Sequence, residues 1–96
     1  MYIKINQSND AVVVALCDEY LINKTFEEGQ LQLKVTEIFY KGEKKSEEEI
    51  IKILKGSNNI NIVGEESIRF ALDNNLINKD SIIRIANIPH AQVVSR

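Results

Sequence analysis

Polar and apolar residues alternate in "YIKI" (residues 2–5), and an apolar, β-branched run, "AVVVALC", occupies residues 11–17. Five turn-forming residues, "NQSND", separate the two. The pair predicts an N-terminal β-hairpin whose second strand is central, since a strand covered on both faces has no wet positions to alternate with. "DEYLINKTFEEGQ" is mixed in pattern and closed by Gly29, so it reads as a connection with at most one helical turn at residues 18–22. "QLQLKVTEIFY" alternates at Leu31, Leu33 and Val35, a strand with one wet face. "YKGEKK" then makes a charged turn.

"SEEEIIKILKG" predicts a helix. Ser46 is placed as N-cap, Glu49 stands three residues on as in a capping box, and Gly56 ends it. Glu47 and Glu48 suit the positive end of the helix dipole, and Lys52 and Lys55 the negative end. Ile50, Ile51, Ile53 and Leu54 form its buried face. "NNINIV" follows as a short strand, then "GEESIRFALDNN" as a second helix with Ile68, Ala71 and Leu72 at i, i+3, i+4 spacing. "SIIRIA" is another strand, and "AQVVSR" a short returning one after a bend at Pro89. The predicted order is β-β-β-α-β-α-β-β: an α/β (α+β) fold, a mixed β-sheet carrying an N-terminal hairpin and two helices in a single domain of 96 residues. If the strands on either side of the second helix run parallel in one sheet, their crossover is right-handed.

Composition sharpens this reading. Fifteen isoleucines against six aromatics favour a pleated sheet over a helical bundle. A net charge of −2 and a pI near 5.4 argue against nonspecific coating of DNA. Cys17 is the one cysteine, so no intrachain disulfide forms and secretion gains no support. The start, "MYIKINQSND", lacks the apolar core of a signal peptide, and no apolar run reaches the ~20 residues of a membrane helix. A cytoplasmic protein that leaves membranes alone is the expectation, and isoleucine-rich edge strands leave a homodimer open.

Several residues are candidates for chemistry. Gly64 sits where a strand becomes a helix, a place where backbone N–H groups bind phosphate. Glu65 and Glu66 in the first turn repel such an anion, and no glycine-rich phosphate motif accompanies them, so helix capping is favoured. Cys17 and His90 are the candidate catalytic pair, a nucleophile and its base, weighed against a cysteine that simply fills the core. One histidine and one cysteine do not make a tetrahedral zinc site without added carboxylates, so no metal and no cofactor is expected. Tyr40 beside Lys41, Lys44 and Lys45 offers a stacking platform for single-stranded RNA, against which stand Glu43 and the acids that follow. His90 follows Pro89, whose fixed backbone aims the imidazole.

In order along the chain, "MYIKI", "VVVALCDEYLINKTFEEGQLQLKV", "FYKGE", "NIVGEESIRFALDNNLI" and "IRIANIPHAQVV" resemble the archaeal family known as domain of unknown function 424, with "CDE", "NKTFEEG" and "PHAQ" the most specific segments. The resemblance implies a small cytoplasmic archaeal protein without an established activity, and its archaeal company suggests a connection to translation. It singles out Cys17, Asp18, Lys24, Thr25, Phe26, His90 and Gln92 without giving any of them a role. Two departures stand out. Ile22-Asn23-Lys24 replaces the family's leucine-glycine-lysine turn, where asparagine tolerates the left-handed conformation. Ala86-Asn87-Ile88 stands where the family often has glycine before the proline.

Three functions follow as expectations. The first is a non-enzymatic binding or adaptor module for a protein or ribonucleoprotein partner, using Asp18, Lys24, Thr25, Phe26, His90 and Gln92, with residues 18–26 and 89–92 placed together at one end of the sheet. The second is a small enzyme using Cys17 and His90. The third is an RNA binder using Tyr40 and the turn at residues 41–45.

Overall fold

A computed structural model describes residues 1–95 of the chain. Its elements are β1 (Tyr2–Gln7), β2 (Val12–Cys17), β3 (Thr25–Glu28), β4 (Leu31–Lys34), α1 (Glu37–Tyr40), α2 (Glu47–Lys55), β5 (Asn59–Val63), α3 (Glu65–Asp73), β6 (Ile82–Ile85) and β7 (Ile88–Val94), with one-turn 3₁₀ segments at Glu19–Leu21 and Lys79–Ser81. Five strands form the main sheet in the order β1-β2-β5-β7-β6, and β3 and β4 make a separate hairpin. β2 and β5 are parallel neighbours; every other pairing in the sheet is antiparallel. β5 and β6 therefore run the same way with β7 between them.

The mixed α/β arrangement is as the pattern predicts, with two additions. The connection closed by Gly29 contains β3, in which only Phe26 is apolar and hence only one position signals a buried face. The strand read from Leu31 onward stops at Lys34, because Thr36 accepts the Phe39 N–H at 3.3 Å and starts the short α1. The central placement of β2 holds: Val14, Ala15, Leu16 and Cys17 are all buried. On one face Val14 and Leu16, with Ile60, Ile62 and Ala91, meet Ile50 and Leu54 of α2 and Ile68, Phe70 and Ala71 of α3. Ala15, Cys17, Val63 and Ile85 point the other way, against Leu21, Leu33, Val35 and Tyr40. Alternation along β2 thus feeds two cores, one roofed by helices and one by the β3–β4 hairpin and α1.

The capping box at α2 forms in part: Ser46 Oγ accepts the Glu49 N–H at 3.2 Å and donates to Glu49 Oε1. Asn23 has φ 70°, the left-handed conformation expected of its turn. The bend before the last strand is not at Pro89. It is at Ala86 and Asn87, both left-handed (φ 48° and 68°), which close a two-residue reversal between the paired Ile85 and Ile88. Pro89 and His90 lie inside β7.

Proline is tolerated there for a specific reason. Gly64 donates its N–H to Pro89 O at 3.0 Å, and the antiparallel ladder would return a bond from residue 89 to Gly64 O. That carbonyl is already taken by the Ile68 N–H, the first bond of α3. The donor that proline lacks has no acceptor to miss.

Candidate functional site

Register places the side chains of the second sheet face in rows. Tyr2, Cys17, Val63, His90 and Ile83 make one row across all five strands. Lys4, Ala15, Asn61 and Gln92 make the next, and Asn59 pairs with Val94 beyond them. The hairpin and α1 cover Cys17 and Val63 but leave Ile83, Gln92 and Val94 exposed, Ile83 by 50% and Val94 by 59%. About half of this face is therefore open, and amide side chains from two neighbouring strands line it.

At its border lies a polar chain of three residues. Tyr40 Oη donates to Asn61 Oδ1 at 2.8 Å, and the same oxygen is 3.1 Å from His90 Nε2. An amide oxygen only accepts, so this network assigns the ring proton to Nε2 and leaves a lone pair on Nδ1. Burial lowers the His90 pKa below its ordinary value, which favours that neutral ring. Among the described residues, His90 Nδ1 and Asn59 Oδ1 are the buried side-chain N or O atoms without a hydrogen-bond partner. Both belong to the second face, and both accept rather than donate.

Cys17 and His90 are not a catalytic pair. They share a row, yet fully buried Val63 stands between them, and two strand spacings put their Cα atoms roughly 10 Å apart. The thiol donates to Asp18 O at 3.1 Å, and burial, reinforced by the Asp18 carboxylate, pushes its pKa up to about 12. Such a group is a thiol at neutral pH and a poor nucleophile.

Asp18 is a structural anchor. Its carboxylate accepts the Glu66 N–H at 3.0 Å, the Ser67 N–H at 2.7 Å and the Ser67 hydroxyl at 2.6 Å, so it caps α3 from another part of the chain. This also disposes of the phosphate reading of "VGEES", because the protein's own carboxylate fills the place an anion would take. Gly64, at φ 110°, is required there: a Cβ would collide with that carboxylate.

Asp18 and Pro89 do lie at one end of the sheet, joined through Gly64 and Val63, whose carbonyl accepts the Asp18 N–H. Lys24 and Thr25 are exposed beside Tyr20, over whose ring Lys24 Nζ sits at 5.7 Å. Phe26 packs half-buried against the second core, and Gln92 lies open opposite Asn61. No hydrogen bond joins Lys24 or Thr25 to His90 or Gln92 among the described residues.

The turn at residues 41–45 does not form an RNA platform. The Tyr40 ring is buried, and burial raises its pKa. Lys44 pairs with Glu19 at 3.1 Å, Lys45 with Glu43 at 3.1 Å and Glu49 at 3.8 Å, and Lys41 with Glu37 at 3.9 Å. The missed residues are Asn59 and Asn61, with Ile83 and Val94. Their signal was the alternation of "NNINIV", which puts both asparagines on the face opposite Ile60 and Ile62. Asparagine is scarce in strands, and two on one face of a central strand mark a surface that is not simply core.

Among the described residues no three His, Cys, Asp or Glu side chains are grouped to hold a metal ion, and no helix is long and apolar enough to cross a membrane. No curated protein matches the sequence. In fold, the chain is similar to the crystal structure of an uncharacterized conserved protein from Methanopyrus kandleri, with a TM-score of 0.78 and 26% identity over 99% of this chain and 92% of that one. The family model for a protein of unknown function, DUF424, matches residues 6–95. Covered almost end to end by that model, the chain belongs to the DUF424 family.

Proposed function

We propose that this protein is a non-enzymatic binding module that docks on a protein or ribonucleoprotein partner through the open half of its second sheet face. The observation that carries the reading is the continuous strip formed by Ile83, His90, Gln92 and Val94 on β6 and β7, flanked by Asn61. It combines exposed apolar side chains with amide groups and an imidazole held neutral, the mixture that partner surfaces use. It sits on paired strands rather than a loop, so the contact groups are fixed before binding. The buried thiol at Cys17 and the paired lysines at residues 41–45 support this reading over the enzyme and the RNA binder.

Affinity capture tests it, comparing wild type with a face variant, Ile83→Asp plus Gln92→Arg, and with Arg69→Ala on the exposed side of α3. A stoichiometric partner retained by wild type and Arg69→Ala and lost by the folded face variant is the expected result. The same partners on all three proteins would overturn the reading.

A further inference from the structure

His90 sits at the margin of the roof that the β3–β4 hairpin and α1 make over the second face. In its row Val63 is fully buried on one side and Ile83 is half exposed on the other, with His90 half-buried between them. At this margin the roof is tied to the sheet by the bond from Tyr40 Oη to Asn61 Oδ1 at 2.8 Å. The same oxygen accepts from His90 Nε2 at 3.1 Å. With Nε2 so occupied, a second proton goes to Nδ1, which is buried and has no partner among the described residues. A buried N–H without an acceptor is costly, and water admitted by an open roof is an acceptor.

We infer that His90 is a proton-operated latch on this roof: taking a proton from solvent at Nδ1 releases the hairpin and α1 from the sheet and widens the docking face. The imidazolium needs an acceptor that the closed structure lacks, and its charged Nε2–H draws harder on Asn61 Oδ1, the acceptor it shares with Tyr40. The groups around the ring do not relieve it. Tyr40 on α1 and Cys17 on β2 are both kept neutral by burial. Glu28, the carboxylate on the inner side of the hairpin, accepts the Ala86 N–H at 2.8 Å, and Glu27 on the outer side accepts from Gln32. Arg84 of β6 pairs with Glu65 at 2.7 Å, Glu37 of α1 pairs with Lys41, and Lys4 and Tyr2 stand on β1, three strands away. Lys34 alternates with buried Leu33 and so lies on the outer side of β4. Burial holds the closed-state pKa of His90 below its ordinary value, so the open state binds the proton more tightly. The roof is therefore fully latched above about pH 6.5 and is released as pH falls below it. The inference rests on the docking reading above and adds its regulation.

Amide hydrogen exchange between about pH 7.5 and about pH 5 reads the latch, each rate being divided by that of an unstructured peptide at the same pH. The Val35 N–H, bonded to Lys24 O, and the Tyr40 N–H, bonded to Thr36 O, report the roof. Leu16 and Ile62 report the sheet. Over this range the roof's opening constant rises at least about threefold in wild type, with a ceiling of about thirtyfold set by an ordinary histidine in the open state. It stays flat in His90→Gln, which also subtracts the contribution of the carboxylates. His90 is the single histidine, so its ring protons assign themselves in NMR. Their titration midpoint, below 6.5, must coincide with the rise in roof opening, and this keeps the test valid if His90→Gln fails to fold. A flat wild-type profile, the same rise in His90→Gln, a ring midpoint at or above 6.5, or an equal rise at Leu16 and Ile62 would overturn the latch. These measurements involve no partner, whereas the docking reading is judged by partner loss in the Ile83 and Gln92 variant. A flat profile therefore removes the latch and leaves docking standing.

Discussion

Asn61 decides what His90 is. By accepting from Tyr40 Oη, its amide oxygen fixes the imidazole with the proton on Nε2 and an unpartnered lone pair on buried Nδ1. A second proton must go to Nδ1, in a place without an acceptor, and burial accordingly holds the pKa below the ordinary 6.5. The unfolded chain therefore binds that proton more tightly than the folded one. Stability contributed by the neutral ring is full above about pH 6.5 and is lost as pH falls through the folded-state value. His90→Gln removes the titration and keeps an amide donor toward Asn61. Melting measured at about pH 7.5 and about pH 5 will show a larger loss for wild type than for His90→Gln, over and above the carboxylate contribution common to both. Equal losses would mean that His90 is protonated as easily in the fold as outside it.

At the scale of elements, α3 depends on a residue far away in sequence. Its N-terminal N–H groups have no capping side chain of their own, because the N-cap is Gly64, and Asp18 supplies the acceptors instead. Asp18→Ala leaves the Glu66 and Ser67 N–H groups and a buried Ser67 hydroxyl without acceptors, a cost of about 3 kcal/mol judged from charged hydrogen bonds and helix caps. Urea unfolding measures it, and a loss below about 1 kcal/mol would place the cap's acceptors elsewhere. The contrast with α2 explains what sequence alone made legible. Ser46 and Glu49 are three residues apart, so the start of α2 was readable from spacing, as were the β1–β2 hairpin and the buried β2. Asp18 bonds Ser67 across 49 residues, and no local pattern encodes that. Pro89 misled for the same reason: it suits β7 only because α3 already uses Gly64 O. The candidate site was half legible. His90 and Gln92 could be singled out, but their neighbours Asn61 and Ile83 follow from strand order, which hydropathy does not specify.

The whole molecule has one sheet and two unlike roofs. Helices α2 and α3 lie on the first face over an extended apolar cluster. The other roof is a hairpin of two four-residue strands and a four-residue helix, too little to be stable apart from the sheet. It is held by Leu33, Val35 and Tyr40, by the Tyr40–Asn61 bond, by Asn6 Nδ2 donating to Phe39 O at 3.0 Å, and by the Ala86 N–H donating to Glu28 Oε1 at 2.8 Å. Such a roof opens without unfolding the sheet, since its apolar cluster is smaller than the one beneath the helices and one central hydrogen bond is shared with His90. Native-state hydrogen exchange tests this directly. Amides of β3, β4 and α1 will exchange with a lower opening free energy than those of β2 and β5, and Tyr40→Phe will lower the roof's value further while leaving the helices nearly unchanged. A single opening free energy shared by roof and sheet would show one cooperative unit. Under the docking function proposed above, the open strip begins where this roof ends, so the roof's opening equilibrium would set how much of the second face is presented. Tyr40→Phe is expected to change the affinity of any captured partner without altering an exposed contact residue.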